Sequence, residues 1–335
     1  MQSITENTLS IADLNKAIEL ELAKLPLPLH LAELYDPIRH ALELGGKRMR
    51  PIICLLSGLM YGAELDEILK PALAIEVFHN FTLLHDDIMD NAPIRRGKPT
   101  VFAKWGLNSA ILSGDVMMIH SYELLVEMKA NKLTDALKLF NTTAIEVCEG
   151  QQWDMQFETQ VELPSLNDYL DMIRLKTAVL LGAAAKLGVI AGNGSKDDAD
   201  ILYTLLVNLG IAFQIQDDWL DTFGNQDNFG KRIGGDILAN KKTCLLIIAL
   251  QLSNDEDKAK LESLYLSSCT TETQEIDKIN QVTQLYKKYK VDKKVNDLKE
   301  NYLKGFDELE ALKVVKPEYL ELLKSICISL LIRDK

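Results

Sequence analysis

The sequence has 335 residues, of which 47% are hydrophobic, and its formal net charge is −12. That balance argues against nucleic-acid binding, because neutralising phosphates requires a basic face. Its five cysteines show neither CxxC nor histidine spacing, which argues against a disulfide framework or a zinc site and predicts a reducing, cytoplasmic setting.

The composition favours helices. Leu, Ala, Ile, Glu and Lys dominate, whereas glycine (18) and proline (9) are sparse. The N-terminal stretch from Met1 to Leu25 lacks the basic start and apolar run of a targeting segment. The most apolar runs, such as Cys244 to Leu250, are far shorter than the roughly 20 residues that a membrane span needs. We therefore expect a soluble all-α protein with no membrane span.

Helical periodicity first becomes clear from Leu31 to Leu42 and stops at Gly45-Gly46. A nearly all-apolar helix opens at Pro51, and the next is predicted to open at Pro71. Further helices are predicted over 107–129, 133–158, 165–191, 197–222, 241–252 and 317–332. No low-complexity linker, fixed-period repeat or strand-like alternation interrupts them. We expect one domain over residues 1–335.

Two clusters of three aspartates stand out, at 85–90 (HDDIMD) and 216–221 (QDDWLD). Their carboxylates are those of Asp86, Asp87, Asp90, Asp217, Asp218 and Asp221. Each cluster follows an apolar run, and unpaired negative charge at the end of a buried helix is costly, so a cation is expected there. One such cluster alone is more often a solvated helix end. Two clusters, each followed by a basic loop, indicate a site for a hard cation such as Mg²⁺.

The basic residues are also grouped, although the chain as a whole is acidic. The groups are Lys47/Arg48/Arg50, Arg95/Arg96/Lys98, Lys231/Arg232 and Lys241/Lys242. Local cationic pockets in an acidic protein suit small polyanions. Arginines and lysines would hold the phosphate oxygens that a metal leaves free, so a phosphate-bearing substrate is predicted.

Other metal and nucleotide sites fit the residues less well. An EF-hand loop starting at Asp86 would need an oxygen ligand and a glycine where Ile88 and Asn91 stand. No GxxxxGK[ST] motif occurs, which argues against a P-loop. No Glu-x-x-His pair supports a di-iron bundle.

The helix before the first cluster carries a polar stripe. At 100° per residue, His79 and Thr82 fall on the face of Asp86 and Asp90. A lone histidine is usually a satisfied core residue, but its place on this stripe makes a functional role equally reasonable. Gln214, one turn before the second cluster, is interpreted in the same way.

Residues 83–100 (LLHDDIMDNAPIRRGKPT) resemble the first aspartate-rich motif of the trans-isoprenyl diphosphate synthases, the polyprenyl synthetase family. Residues 212–224 (AFQIQDDWLDTFG) resemble the second motif. The resemblance covers nearly the whole chain. It implies a short-chain farnesyl or geranylgeranyl diphosphate synthase with the all-α isoprenoid-synthase bundle around a central cavity, usually a homodimer.

The resemblance also implies roles for single residues. GGKRMRP (45–51) is similar to the family's loop for isopentenyl diphosphate, which implies binding of that substrate by Lys47, Arg50, His79 and Arg96. Positions that hold the allylic diphosphate or its released pyrophosphate match Arg95, Lys176, Thr177, Gln214, Lys231 and Lys241. GQQWD (150–154) is similar to an element that faces the same cavity. Arg232 makes the turn over 231–236 one residue longer than the eukaryotic farnesyl synthase form, which weakens the match of Lys231.

The chemistry that the resemblance implies is metal-assisted ionisation of an allylic diphosphate. Asp86, Asp90 and Asp217 would hold three magnesium ions, with Asp87, Asp218 and Asp221 in support. Lys176 and Lys241 complete the expected catalytic set. Isopentenyl diphosphate then attacks the allylic cation, and proton loss completes one 1′-4 condensation inside apolar walls that exclude water.

Product length is expected to depend on residues before the first cluster. The helical wheel places Phe78 at the edge of the polar stripe and Phe81 away from it, with Thr82 one turn from Asp86. The family pattern instead points to Phe81, five residues before the first aspartate. Because Thr82 is small, we expect a twenty-carbon rather than a fifteen-carbon product.

Two alternatives are weighed against elongation. A terpene cyclase of the same fold would commonly lack the isopentenyl-binding set, which is present here. A non-catalytic subunit of a heteromeric synthase would be expected to lose one aspartate cluster, and both are intact.

Overall fold

The structure is a computed structural model that describes residues 8–224 and 233–331. The elements of its first half are α1 (Ile11–Leu22), α2 (Ala32–Glu43), α3 (Met49–Leu59), α4 (Leu65–Met89), β1 (Ile94–Arg95), β2 (Lys98–Pro99), α5 (Val101–Trp105), α6 (Leu107–Val126) and α7 (Ala130–Thr159). The elements that follow are α8 (Leu166–Ile173), a π-helical turn (Arg174–Ala178), α9 (Val179–Ala191), α10 (Lys196–Phe223), α11 (Gly235–Leu238), α12 (Cys244–Leu252), α13 (Asp255–Leu266), α14 (Glu272–Lys288), α15 (Val291–Leu303), a 3₁₀ helix (Phe306–Ala311) and α16 (Pro317–Leu331). The all-α prediction is confirmed, with one short antiparallel hairpin added.

Most predicted helix bounds agree with the structure to within three residues, but Pro71 was interpreted wrongly. The helix expected to open there begins at Leu65, and Pro71 lies inside α4, where it is buried. A proline in the second turn removes one backbone hydrogen bond, and the apolar burial of α4 outweighs that loss. Pro51, by contrast, lies in the first turn of α3, where its missing N–H has no intrahelical partner to lose.

By their internal contacts the residues form two compact units. The first comprises the described part of Met1–Asn141 with Ala183–Leu202 and Leu312–Lys324, and the second comprises Thr142–Gly182, Tyr203–Ala311 and the described part of Ser325–Lys335. The organisation of the chain as one domain stays a prediction.

The first unit is built around α3, whose residues from Pro51 to Leu59 are all buried. Glycine allows the neighbouring α9 to approach it closely, because a Cβ on Gly188 would fall 2.2 Å from the carbonyl oxygen of Cys54. The helix α1 buries Leu14 and Ile18 in the same core and begins with a capping box at Ser10.

The second unit has its core around α12, whose residues from Cys244 to Leu250 are all buried. Tyr169 of α8, Ile215 of α10 and Tyr286 of α14 belong to the same cluster. The apolar run that the sequence shows at 244–250 is therefore a central core helix.

Among the described residues, α10 (Lys196–Phe223) is long and apolar enough to cross a membrane by length and composition alone. Within its most apolar 18-residue window, 61% is buried inside the protein, and the core helix of a globular protein passes the same test. The length of α10 agrees with the helix predicted over 197–222, but its apolar window of 18 residues is longer than the short apolar runs noted in the sequence.

Candidate active site

The first acidic cluster lies at the C-terminal end of α4, where Asp86 and Asp87 occupy the last turn and Asp90 is the C-cap. Arg95 of β1 contacts it. Arg95 Nε donates to Asp87 Oδ1 at 2.7 Å, and Arg95 NH2 donates to Asp86 Oδ2 at 3.1 Å. Burial raises the pKa of Asp87, and Arg95 opposes that shift. A guanidinium thus already offsets part of the charge of this cluster.

The turn of the hairpin brings Arg96 to the same side of the unit as the loop at 45–48. Arg96 and Gly97 have φ values of 53° and 74°, and a two-residue hairpin turn of type I′ requires positive φ at both positions. An arginine rarely adopts this conformation, so its surroundings must hold it. Gly46 leaves the necessary space, because a Cβ there would lie 2.8 Å from Arg96 NH1.

His79 and Arg50 form the centre of the predicted isopentenyl diphosphate set. Arg50 NH1 lies 3.1 Å from His79 Nε2, and an arginine can only donate, so the histidine nitrogen accepts. Burial, followed by the charges of Arg50 and Arg96, lowers the pKa of His79 well below its ordinary value. His79 is therefore neutral, with its proton on Nδ1. Lys47, in the adjacent loop, is exposed.

The second acidic cluster lies at the end of α10, in the other unit. Asp218 is buried, and both of its oxygens are engaged: Tyr169 OH donates to Oδ2, and Gln214 Nε2 donates to Oδ1 at 3.2 Å. Cys244 Sγ lies 3.9 Å from Oδ2. Burial, with repulsion from Asp236, raises the pKa of Asp218 to about 7. This carboxylate is held by protein donors on two sides.

Lys241 is half-buried among acidic residues of the second unit. Burial alone would lower the pKa of Lys241, but the carboxylates of Asp236, Asp218 and Asp154 outweigh it, and the net pKa is raised. The ammonium group therefore stays charged at neutral pH. A half-buried cation with this much carboxylate around it is well suited to an anionic ligand that arrives with its own metal ions.

The last aspartate of the second cluster holds the turn that leads to Lys241. Asp221 Oδ2 accepts a hydrogen bond from the Asp236 backbone N–H at 2.9 Å, and its carbonyl accepts one from Gly234 at 2.6 Å. The carbonyl of Asp236 accepts in turn from the Lys241 N–H at 2.9 Å. Asp221 thus fixes the start of α11 to the end of α10.

Lys176 and Thr177 lie on the π-helical turn between α8 and α9. π-turns are rare and frequently occur at functional sites. Lys176 Nζ donates to Asp154 Oδ2 at 2.5 Å. Asp154 closes the GQQWD element of α7, and that element approaches the π-turn at Gly150, where a Cβ would clash with the Lys176 backbone. The structure therefore places the predicted lysine against the predicted GQxxD element.

The residues expected to set product length lie in an aromatic cluster of the first unit. Phe78 is 1% exposed and packs edge-on against Phe140, with ring centroids 5.1 Å apart. Phe81 packs against His85 at 4.7 Å. The hydroxyl of Thr82 donates to the carbonyl of His79 at 2.8 Å. The influence of these residues on chain length stays a prediction.

The donor set of both clusters fits magnesium. Within residues 8–224 and 233–331, no three His, Cys, Asp or Glu side chains are already arranged as a metal-binding group. Magnesium does not need such a cage, because it keeps several waters and takes one or two carboxylates together with substrate phosphates. The raised pKa of buried Asp218 shows that added positive charge would stabilise its ionised form.

The predicted site residues fall into two groups, one in each unit. The first group contains Lys47, Phe78, His79, Phe81, Thr82, Arg50, Asp86, Asp87, Asp90, Arg95 and Arg96. The second group contains Lys176, Thr177, Gln214, Asp217, Asp218, Asp221 and Lys241. Lys231 and Arg232 lie outside the described residues. The roles of the individual residues stay predictions.

Three polar residues around these groups were missed at the level of sequence. Glu76 carried a signal, since it is a charged residue within an apolar helical run. Asp236 carried a weaker signal, since it ends the turn over 231–236 that resembles a family element. Tyr169 carried no local signal, because its partner Asp218 is 49 residues away.

Each helical unit sets paired carboxylates beside arginine or lysine side chains, an arrangement suited to binding phosphate groups together with metal ions. The polyprenyl synthetase family model matches residues 31–286. The chain belongs to the polyprenyl synthetase family.

Two similar proteins match this chain over more than two thirds of their own length. A short chain isoprenyl diphosphate synthase of Methanocaldococcus jannaschii is 42% identical over 229 residues, which cover 68% of this chain and 69% of the relative. A geranylgeranyl diphosphate synthase of Sulfolobus acidocaldarius is 36% identical over 282 residues, which cover 83% of this chain and 84% of the relative. A solved structure of a geranylgeranyl pyrophosphate synthase has a TM-score of 0.91 and 40% identity, and covers 98% of this chain and 100% of that chain.

Proposed function

We propose that this protein is a short-chain trans-prenyltransferase that condenses isopentenyl diphosphate with allylic diphosphates to give geranylgeranyl or farnesyl diphosphate. The observation that carries the proposal is the contact of Arg50 with neutral His79, in the same unit as Arg96 and the first aspartate cluster. A cyclase acts on one diphosphate and does not need a second group of basic residues such as Arg50, His79 and Arg96. The names of the similar synthases support the same activity.

We assign the allylic diphosphate to Arg95, Lys176 and Lys241, with Thr177, Gln214 and Lys231 in support. Magnesium, in three ions held by Asp86, Asp90 and Asp217, would supply positive charge to the departing diphosphate. We assign a supporting part to Asp87, Asp218 and Asp221, each of which accepts a hydrogen bond from the protein. Lys241, which remains protonated, binds the pyrophosphate as negative charge develops on it.

The homoallylic substrate is held through its diphosphate by Lys47, Arg50 and Arg96, with His79 fixed by Arg50. When the allylic C–O bond breaks, its electron pair leaves with the diphosphate. The double bond of isopentenyl diphosphate then forms the new C–C bond, and a proton passes to the released pyrophosphate. The reaction requires apolar surroundings for both substrates, because water would quench the cation.

We propose that the enzyme acts as a cytoplasmic homodimer. The five cysteines are free thiols, as expected in a reducing compartment. A stripe of exposed apolar side chains along α6 suits contact with a second copy, and it consists of Ile111, Leu112, Met118, Ile119 and Val126. A twofold interface would pair this stripe with itself.

Incubation of the purified chain with magnesium and geranylgeranyl diphosphate, with and without isopentenyl diphosphate, separates the proposal from a cyclase. We expect no hydrocarbon release without isopentenyl diphosphate. Hydrocarbon release under that condition would instead support the cyclase. Elongation by the single purified chain would exclude a role as a non-catalytic subunit.

A further inference from the structure

Arg48 differs from its basic neighbours Lys47 and Arg50 because it is buried. It is only 3% exposed, although it lies in the cationic loop between Lys47 and Arg50. Its backbone has a φ of 48° and forms the N-cap of α3. A non-glycine residue rarely adopts this conformation, so strong local contacts must hold it.

All three guanidinium nitrogens of Arg48 donate to protein acceptors. Nε donates to Glu19 Oε1 of α1 at 2.7 Å, NH1 to Glu76 Oε1 of α4 at 2.6 Å, and NH2 to the carbonyl of Leu42 of α2 at 2.7 Å. The planar fork of an arginine can meet three acceptors at fixed angles, which a lysine cannot do. Arg48 therefore joins three helices to the loop and directs no nitrogen toward a substrate.

Glu76 connects this arrangement to His79. It is 4% exposed, lies one turn before His79 on α4, and its Oε1 also accepts from Asn80 Nδ2 at 3.0 Å. The negative charge of Glu76 also favours the charged forms of Arg50 and Arg96. The Arg48–Glu76 pair thus fixes the loop to α4 at the level where Arg50 meets His79.

We propose that Arg48 is a positioning residue for isopentenyl diphosphate, which does not bind the substrate but holds Lys47 and Arg50 in register with His79. This inference rests on the proposed prenyltransferase function. Charge alone cannot perform this role, because the three acceptors lie on different helices. A lysine at position 48 would keep the charge but could not contact all three acceptors. Lys47 and Arg50 would then lose their alignment with His79.

The test compares Arg48→Lys with the wild-type protein in steady-state elongation. We expect the KM for isopentenyl diphosphate to rise at least about tenfold, as for a misplaced binding group, while the KM for the allylic diphosphate stays within about twofold. Calorimetric titration with isopentenyl diphosphate should show the same loss of affinity without turnover. A wild-type KM and affinity in Arg48→Lys would overturn the inference.

Arg39 offers a matched control in the same unit. Its guanidinium also joins a loop to a helix, with NH1 donating to Asp36 at 2.6 Å and NH2 to the carbonyls of Leu27 and Pro28 at 2.7 and 3.0 Å. Arg39→Lys should leave both KM values unchanged. An equal rise in both KM values in Arg48→Lys would indicate general damage and would also overturn the inference.

A second variant provides a test if Arg48→Lys unfolds the protein. Arg48→Met with Glu76→Gln removes both buried charges, which often preserves the fold. We expect this double variant to lose affinity for isopentenyl diphosphate selectively, and retained affinity would contradict the proposal. Absence of elongation by the wild-type protein would instead count against the prenyltransferase function, while the titration would still report on Arg48.

Discussion

Gly150 of α7 lies against the backbone of Lys176, so closely that a Cβ on the glycine would fall 2.2 Å from the lysine nitrogen and 2.7 Å from its Cα. The π-helical turn that carries Lys176 and Thr177 can hold this position only because residue 150 has no side chain. One turn further along α7, Asp154 accepts the hydrogen bond of the Lys176 ammonium group. A backbone contact and a side-chain contact thus place the same lysine.

Gly150→Ala should therefore displace Lys176 and lower kcat/KM for the allylic diphosphate by about 100-fold, the effect of a misplacement near 1 Å. Steady-state kinetics with each allylic acceptor would measure it. Gly188→Ala is a matched control, since its Cβ would fall equally close, 2.2 Å, to the carbonyl of Cys54 in the core of the first unit. That change should lower stability and leave the KM values unaltered; equal kinetic effects of both changes would contradict the account.

Tyr169→Phe removes the hydroxyl that donates to buried Asp218. The expected cost is about 1–3 kcal/mol in the free energy of unfolding, together with a lower kcat, because one oxygen of the carboxylate loses its donor. Urea unfolding and elongation kinetics would measure the two effects. Tyr265→Phe is the control: its hydroxyl pairs with that of Tyr286 at 2.7 Å in the same unit, so it should cost stability alone. Unchanged kcat in Tyr169→Phe would argue against a role for Tyr169 in the site.

Asp218 also predicts a pH dependence of stability in the absence of magnesium. Its pKa is about 7 in the folded protein and 3.8 ordinarily. Between these values the folded state binds more protons than the unfolded state, so the free energy of unfolding should fall as pH rises from about 4 to 7. We expect this decline in the free energy of unfolding to be roughly 2–4 kcal/mol, and Asp218→Asn should abolish it. Parallel stability curves for the two proteins between pH 5 and 8, from urea unfolding, would refute this prediction.

Phe81→Ala is expected to lengthen the product beyond twenty carbons, because it removes a ring from the helix that leads to Asp86. Chromatographic sizing of the products would show the change. Phe140→Ala is the control, which should leave product length unchanged. Phe140 belongs to α7 and packs against Phe78 in the same aromatic cluster. Longer products from Phe78→Ala but not from Phe81→Ala would favour the helical-wheel argument over the family pattern.

Phe78→Ala should also cost about 3–5 kcal/mol in the free energy of unfolding, because Phe78 is fully buried.

Asp86→Ala and Asp217→Ala should each lower kcat by about 10²–10³ or more, since each removes a carboxylate that we assign to the charge-stabilising metals. Far-ultraviolet circular dichroism should show an intact fold. Asp277→Ala, an exposed aspartate of α14, should have no effect on kcat. Full activity in either cluster variant would place the metal ions elsewhere.

The sequence predicts the helices well because apolar residues recur at helical spacing, as in α2, and because few glycines and prolines interrupt the chain. Pro71 misled the prediction, since the burial of α4 outweighs a local signal that usually marks a helix start. The helix expected over 165–191 is continuous in periodicity but contains the π-turn, which depends on contact with Gly150, more than 20 residues earlier in the chain. Local sequence patterns do not reveal contacts between residues that are this far apart in the chain.

The sequence shows which charged residues form the candidate site, but it does not show which residues they contact. Six aspartates and the basic loops are visible in the sequence as clusters. The pairing of Arg95 with Asp87 depends on a hairpin with two positive φ values, and that of Tyr169 with Asp218 depends on packing between α8 and α10. Arg48 is visible in the sequence only as a member of a basic group, whereas in the structure it is buried and donates to three protein acceptors.

The most direct test of the central claim is to incubate the purified chain with magnesium, isopentenyl diphosphate and, separately, dimethylallyl, geranyl or farnesyl diphosphate, and to size the products. The account predicts elongation of these acceptors, with a twenty-carbon diphosphate as the main final product. Absence of elongation with every acceptor would contradict it.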